Sequence, residues 1–209
     1  MSRNDIILAT RSADKLRELR PLFESAGFIV ADAGEFGLAR EPDDDELESH
    51  DTFRANALAK AHHFYDISGG VAAVADDSGL EVAALGGRPG VRSKRFSGRT
   101  GLKGRALDAA NNRALVTELE GVADRSARYV CAAAFVGLDH EIVAEGETAG
   151  EMLTEPRGQA GFGYDSLFLS ADLGVTFGEC TPQEKMRVSH RGRAFRELIA
   201  ALRRGVVRG

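Results

Sequence analysis

The chain has 209 residues, of which 43% are hydrophobic, and a chain of this length can bury a substantial core. Its formal net charge of −5 gives no overall attraction to nucleic acids or anionic membranes. No apolar run approaches the ~20 residues that a membrane-spanning helix requires, and the N-terminal residues lack the pattern of a signal peptide. We therefore expect a cytoplasmic protein that binds neither nucleic acid nor membrane.

The N-terminal part of the chain predicts a strand, a loop and a helix. Residues 5–10 read as the strand, and apolar residues then recur at helical spacing behind a possible Ser12 cap. Pro21 conflicts with this helix, because an interior proline removes a hydrogen bond, so we expect a kink or a break there. A second strand at 28–31 is followed by a Gly- and Asp-rich loop to Glu48.

The middle of the chain continues the alternation of helices and strands. A helix is predicted over 51–67 and a strand over 71–75, with Asp-Asp-Ser-Gly then turning into another strand at 80–84. The segment 86–98 reads as a loop because Gly and Pro recur in it. A helix at 107–119 follows.

The last third of the chain predicts a hairpin and two helices. Strands at 127–138 and 141–148 are joined by a short turn. Thr181 begins a capping box with proline at the first helical position, and Ser189 can cap the last helix. Helices mixed with strands and one hairpin predict a single α/β domain with a mixed β-sheet.

The two cysteines, Cys131 and Cys180, show neither zinc-ligand spacing nor a disulfide framework.

Three carboxylates are candidates for phosphate chemistry. Asp76 and Asp77 end an apolar run, and Glu48 precedes the helix at 51–67. Hard cations such as Mg²⁺ bind carboxylates together with substrate phosphates, so this pair suits a metal site. The alternative is a solvated turn, since Asp, Ser and Gly dominate turns for local backbone reasons.

Lysines and hydroxyls at two places could meet an anion. Lys60 shares a helix face with Asn56 and could project into a pocket, although an ordinary surface lysine has the same spacing. Thr10, Ser12 and Lys15 stand at the first strand–helix junction, where unpaired backbone N–H groups can bind phosphate. The chain has no Gly-x4-Gly-Lys-Ser/Thr phosphate loop.

Two further motifs could recognise a nucleotide. In GQAGFGYDSLF the glycines flank Phe162, which could stack on a planar base; a glycine-rich turn with this ring packed inward is the alternative. In KMRVSHRGRAF, Lys185 and Arg191 suit phosphate, and His190 can donate to a carbonyl oxygen. A basic helix end facing the macrodipole explains the second motif equally well.

Together these motifs resemble one family, the Ham1/RdgB-type noncanonical purine nucleoside triphosphate pyrophosphatases, also called inosine triphosphatases. The resemblance runs in order from Leu8 to Phe195. It implies a homodimeric, Mg²⁺-dependent enzyme with an elongated mixed sheet, flanking helices and two lobes around a central cleft. Such an enzyme hydrolyses ITP, dITP and XTP to the monophosphate and pyrophosphate, which removes them from the nucleotide pool. The segments that carry the resemblance are LATRSADKLREL, ESHDTFRANALAKA, ADDSGLEVAALGGRPGVRSKRFSG and GFGYDSLF with TPQEKMRVSHRGRAF.

The resemblance also implies a role for each site residue. Asp77 would be the general base and a metal ligand, with Asp76 and Glu48 as further metal carboxylates and Lys60 and Asp76 also counted as catalytic. Ser78 would touch the substrate. The triphosphate would be held by Thr10, Arg11, Ser12, Lys15, Lys60, Lys185 and Arg191. The base pocket would consist of Phe162, Gly163, Tyr164, Asp165, His190 and Arg191.

The chain departs from the family pattern at the first junction, where Arg11 and Ser12 replace the usual Gly and Asn. This departure favours, slightly, a nucleotide-binding sensor without turnover. A second alternative is a metal-dependent phosphatase of another phosphorylated metabolite. Retention of the three carboxylates and Lys60 favours an enzyme, because a pure binder has no need of a water-activating carboxylate.

Overall fold

A computed structural model of the protein describes residues 5–38 and 47–206, so most of the acidic loop before Glu48 lies outside the described residues. Strands and helices alternate along the chain. The strands are β1 (Asp5–Leu8), β2 (Ile29–Asp32), β3 (Ala73–Val82), β4 (Ser126–Val136), β5 (Glu141–Met152) and β6 (Phe168–Ser170). The helices are α1 (Ala13–Ser25), α2 (Phe53–Ile67), α3 (Gly104–Glu118), α4 (Pro182–Val188) and α5 (His190–Val206).

The strands form a six-stranded sheet in the order β2-β1-β3-β4-β5-β6. β1 pairs in parallel with both β2 and β3, whereas β5 and β6 are antiparallel. The predicted mixed sheet with flanking helices is therefore confirmed. Among the described residues, no helix is both long and apolar enough to cross a membrane.

Contacts divide the chain into two compact units. The first contains the described residues up to Asp77, residues Cys131–Gly146 and those from Arg193 onward. The second contains Ser78–Val130 and Glu147–Gly192. The expectation of a single domain whose two lobes surround a cleft stays a prediction.

Each unit has its own apolar core. In the first, Phe23 of α1 packs edge-on against Phe195 of α5, with ring centroids 5.8 Å apart, and both rings are fully buried. In the second, Leu115 of α3 belongs to a cluster with Phe168 and Phe177. Burial of large side chains of this kind stabilises by about 1.5–3 kcal/mol each, so these contacts hold the elements of each unit together.

Local signals predicted several helix ends. Ser12 caps α1, with its side chain accepting from the Lys15 N–H, and Thr181 and Glu184 form the expected capping box of α4. Of the kink or break expected at Pro21, the break is wrong, because α1 continues to Ser25, and the kink stays a prediction. Packing of buried Leu19 and Phe23 on either side of the proline accounts for this continuity.

The predicted turn at Asp76–Gly79 is wrong. β3 runs unbroken through Asp-Asp-Ser-Gly, and Asp76 and Asp77 are only 2% and 6% exposed. The tendency of these residues to form turns is a local effect, and it is overridden here because distant side chains satisfy the two carboxylates. The aspartate pair thus lies within a buried strand.

Candidate functional site: a carboxylate–lysine cluster and an aromatic–cation cluster

The carboxylate–lysine cluster lies in the first unit and consists of Lys15, Glu48, Asn56, Lys60, Asp76 and Asp77. Lys15 of α1 forms an ion pair with Asp76, its Nζ lying 3.0 Å from Oδ1. The Cys131 thiol of β4 lies 4.0 Å from the other Asp76 oxygen. The Asp76 side chain is 1% exposed, so its negative charge is held in a site where water does little to screen it.

Asp77 is held from α2. The Asn56 side-chain amide donates to Asp77 Oδ2 at 2.8 Å, and Asn56 itself is fixed by both backbone groups of His50. Burial raises the pKa of Asp77 and the nearby Glu48 charge raises it further, while Lys15 and Lys60 oppose this shift. A carboxyl whose pKa is raised accepts a proton more readily at neutral pH, which is the property a general base needs.

Lys60 of α2 is buried and contacts both the loop and β3. Its ammonium donates to the Glu48 carboxylate and to the Asp76 carbonyl oxygen, the latter at 2.9 Å. Burial disfavours the charged form, but the negative charges of Glu48 and Asp76 outweigh it and raise the pKa of Lys60. Lys60 is therefore a charged, buried lysine among carboxylates and not an exposed surface residue.

The three carboxylates are ligands of the type that a divalent cation prefers, although they are not arranged around one. Among the described residues, no group of three or more His, Cys, Asp or Glu side chains is placed to hold a metal ion. Lys15 and Lys60 instead contact Asp76 and Glu48. All the candidate ligands are nonetheless hard oxygens, which Mg²⁺ prefers, and a cation would offset the burial and the Glu48 repulsion that raise the Asp77 pKa.

At the β1–α1 junction, two of the residues predicted to bind phosphate instead accept hydrogen bonds from backbone N–H groups at the start of α1. The Thr10 hydroxyl accepts from the Ser12 N–H at 3.2 Å, and the Ser12 hydroxyl accepts from the Lys15 N–H. The Arg11 guanidinium lies 5.8 Å from the centre of the Phe64 ring and donates to the Leu38 carbonyl oxygen. The side chain of Lys15, at the same junction, reaches Asp76.

The aromatic–cation cluster lies in the second unit and consists of Ser78, Tyr129, Phe162, Asp165, Lys185, His190 and Arg191. Lys185 Nζ lies 4.7 Å from the centre of the Phe162 ring, and the Arg191 guanidinium lies 5.6 Å from it. Two cations beside one aromatic ring are stabilised by its electron-rich face. The Phe162 ring is half-buried, so it is not an ordinary core phenylalanine.

Asp165 is committed to the structure of this cluster. Its Oδ2 accepts from the Phe162 backbone N–H at 2.8 Å and from Lys185 Nζ at 2.6 Å. The side chains of this ion pair are 5% and 4% exposed. Asp165 thus orients Lys185 and the Phe162 backbone, and its carboxylate is already occupied by donors from the protein.

His190 stacks on a residue that the sequence did not predict. Tyr129 of β4 lies parallel to the imidazole, and its hydroxyl oxygen is 3.5 Å from Asp165 Oδ1. Burial and the Asp165 charge raise the pKa of Tyr129 well above its ordinary value, so the hydroxyl stays protonated. The period-two burial of Ala127, Tyr129 and Cys131 on β4 is the signal that could have placed this ring inward.

Hydrogen bonds of three predicted site residues, Ser78, Tyr164 and Arg191, complete the description of this unit. Arg191 donates to the Ser78 hydroxyl at 2.8 Å although the arginine is only 2% exposed. The Tyr164 hydroxyl donates to the Ser93 carbonyl oxygen at 2.8 Å, which ties the GFGYD segment to the loop after β3. Tyr164 therefore anchors the segment through its side chain.

Comparisons with known proteins agree with this architecture. The sequence pattern of the Ham1 family matches residues 6–201. A dITP/XTP pyrophosphatase of Burkholderia pseudomallei (strain K96243) is 47% identical over 204 residues, covering 96% of this chain and 94% of that protein. A dITP/XTP pyrophosphatase of Frankia alni (strain DSM 45986 / CECT 9034 / ACN14a) is 47% identical over 202 residues, covering 95% and 96%.

A solved structure of a HAM1 protein from Coxiella burnetii superposes with a TM-score of 0.82 at 34% identity, covering 96% of this chain and 98% of the other. Both the sequence and the fold are thus shared over nearly the full length. The resemblance noted from the motifs is confirmed, and the chain belongs to the Ham1 family.

Proposed function

We propose that this protein hydrolyses noncanonical purine nucleoside triphosphates, ITP, dITP and XTP, to the nucleoside monophosphate and pyrophosphate. The observation that carries the proposal is the buried set of carboxylates and lysines around Asp76 and Asp77. It is supported by relatives of 47% identity that are named dITP/XTP pyrophosphatases. Neither a phosphatase of another metabolite nor a sensor without turnover is favoured by these relatives.

In this proposal the carboxylate–lysine cluster acts on the triphosphate. Asp77 takes a proton from a water molecule whose oxygen bonds to the α-phosphorus, and the bond from that phosphorus to the bridging oxygen of the β-phosphate breaks. Pyrophosphate leaves with the electron pair. Lys15 and Lys60 lie beside Asp76 and suit the binding of phosphate oxygens as compact positive charges.

Magnesium is the ion that we assign to this cluster, with Asp77, Asp76 and Glu48 as the residues that would hold it. When bound, it would neutralise charge on the phosphate oxygens and assist ionisation of the attacking water. Thr10, Arg11 and Ser12 remain proposed phosphate contacts through the β1–α1 junction.

The aromatic–cation cluster is proposed to hold the base. Phe162 offers a face for stacking, and His190 and Arg191 are hydrogen-bond donors toward the base. Lys185, which lies over the same ring, is proposed to hold the triphosphate together with Arg191. Hypoxanthine and xanthine carry an acceptor oxygen at C6, where adenine carries a donor amine. Donors directed at that position would discriminate against adenine by about 1–3 kcal/mol for each buried mismatch.

The family resemblance supports three further parts of the proposal: a homodimer, a cytoplasmic location and a single domain of two lobes. Sedimentation analysis of the purified protein tests the dimer. A sedimentation coefficient of the monomer at micromolar concentration would exclude it.

A substrate panel tests the proposed function. ITP, dITP, XTP, GTP and ATP are each incubated with the protein and Mg²⁺, and pyrophosphate and inorganic phosphate are measured separately. We expect pyrophosphate from ITP, dITP and XTP with little product from ATP. Release of inorganic phosphate alone would point to a phosphatase, and binding without product would point to a sensor.

A further inference from the structure

Gly163, in the middle of the GFGYD segment, is held at both of its backbone polar groups by one helix. Its N–H donates to Asp108 Oδ2 at 3.0 Å, and its carbonyl oxygen accepts from Asn112 Nδ2 at 3.1 Å. Asp108 and Asn112 are four residues apart on α3, so both side chains lie on the same helix face. Two side chains of α3 therefore bind both backbone polar groups of a single loop residue.

The residue that α3 binds has a backbone conformation that favours glycine. Gly163 has a φ of +62°, in the left-handed region. The neighbouring Gly161 is also required, because a Cβ there would lie 2.0 Å from an Asp165 carboxylate oxygen. Within the loop, the Asp165 carboxylate accepts from the Phe162 N–H, and the Asp165 N–H donates to the Phe162 carbonyl. The turn is thus closed internally at Phe162 and attached externally at Gly163.

The Asn112 amide is oriented by this contact. Only its nitrogen can donate to the Gly163 carbonyl oxygen, and its Oδ1 is buried without a hydrogen-bond partner among the residues that the structure describes. An unsatisfied buried oxygen is unfavourable. The orientation of Asn112 is therefore set by the loop in spite of that cost.

We propose that Asp108 and Asn112 are positioning residues that fix the Phe162 ring for the purine base, so that α3 sets the affinity of the site. The inference rests on the proposed function and deepens it. Releasing Gly163 would let the Phe162 backbone move relative to Lys185 and Arg191, whose charged groups lie beside the ring. Neither positioning residue belongs to the carboxylate–lysine cluster, so binding should suffer and the chemical step should not.

Two readouts on four variants test this inference. The variants are Asp108→Ala, Asn112→Ala, the conservative Asp108→Asn, and the control Arg113→Ala on an exposed position of the same helix. Hydrogen exchange at the Gly163 amide, followed by NMR, reports the contact itself. Steady-state kinetics with ITP and Mg²⁺ report its effect on the site.

We expect Asp108→Ala to accelerate exchange of the Gly163 amide by about tenfold or more. Asp108→Ala and Asn112→Ala should raise KM for ITP about fivefold to thirtyfold, as for the loss of one hydrogen bond, with kcat within about twofold of the parent. Asp108→Asn retains an acceptor oxygen, so its KM for ITP should be close to that of the parent. Arg113→Ala should match the parent in both readouts.

Unchanged exchange at Gly163 in Asp108→Ala would overturn the inference whatever the kinetics show. Faster exchange with an unchanged KM would overturn it too, because the contact would then order the loop without serving the base. Failure of the parent to release pyrophosphate from ITP would instead contradict the proposed function, and the exchange result would still decide the contact. If Asp108→Ala does not fold, the KM of Asn112→Ala decides instead, and an unchanged KM for ITP in that variant would overturn the inference.

Discussion

Tyr129 and His190 stack face to face, with ring centroids 4.5 Å apart and planes inclined by 9°. The tyrosine is buried, and its hydroxyl approaches Asp165, which in turn binds Lys185. A strand residue that the motifs did not include therefore sets the plane of the histidine proposed to read the base. This relationship leads to the first prediction.

Two replacements of Tyr129 distinguish the effect of ring stacking on KM from the effect of the hydroxyl. Tyr129→Phe keeps the ring and should change KM for ITP by about twofold at most. Tyr129→Leu removes the ring beside the imidazole, so we expect a clearly larger rise in KM than in the Phe variant. Melting temperatures of both variants are the control, since Leu also leaves a cavity. Equal KM values for the Phe and Leu variants would show that the stack does not orient His190.

Phe162→Ala tests the proposed base platform. Stacking holds the base in the ground state and in the transition state alike, so KM for ITP should rise more than kcat falls. Because Lys185 and Arg191 lie over the Phe162 ring, the melting temperature of the variant is measured as a control. Kinetics with ITP over a range of concentrations give both constants. An unchanged KM would remove Phe162 from the site.

The buried ion pair of Lys185 and Asp165, which lies in the proposed base pocket, should contribute to the stability of the protein. Lys185→Met leaves the Asp165 carboxylate buried without its cation, and breaking such a pair costs about 3–5 kcal/mol. The double variant Lys185→Met/Asp165→Asn removes the stranded charge and should recover part of that loss. Denaturant unfolding is measured for the single variants Lys185→Met and Asp165→Asn and for the double variant. If the double variant is as unstable as the sum of the single variants, the pair is not coupled.

Asp77→Asn should separate activity from stability. Asparagine keeps the size of the side chain but cannot accept the proton, so the rate of pyrophosphate release from ITP should fall about 10²–10⁴-fold. The unliganded melting temperature should equal or exceed that of the parent, because burial and Glu48 both disfavour the Asp77 charge.

The pH dependence of that difference has a definite sign. The folded pKa of Asp77 is raised, so between the unfolded and folded pKa values the native protein retains a proton that the unfolded chain has lost. The parent therefore loses stability as the pH rises through this window, whereas Asp77→Asn does not. Thermal unfolding at several pH values should show the advantage of the variant growing with pH. A variant that is less stable than the parent at neutral pH would contradict this account of the cluster.

The sequence predicted what depends on near neighbours. The capping box at Thr181, the cap at Ser12 and the helix carrying Lys60 are local patterns, and the structure contains them. The turn at Asp76–Gly79 was predicted wrongly because burial of these aspartates depends on Lys15 and Asn56, which lie far away in the chain. Tyr129 and the contacts of α3 to Gly163 were missed for the same reason, since they join strands and helices distant in sequence.

The position of bond cleavage tests the central claim most directly. ITP is hydrolysed by the protein with Mg²⁺ in water enriched in oxygen-18, and the products are analysed by mass spectrometry. Attack on the α-phosphorus predicts that the label enters inosine monophosphate and that the released pyrophosphate is unlabelled. Label in pyrophosphate, or in inorganic phosphate released from the γ-position, would contradict the account.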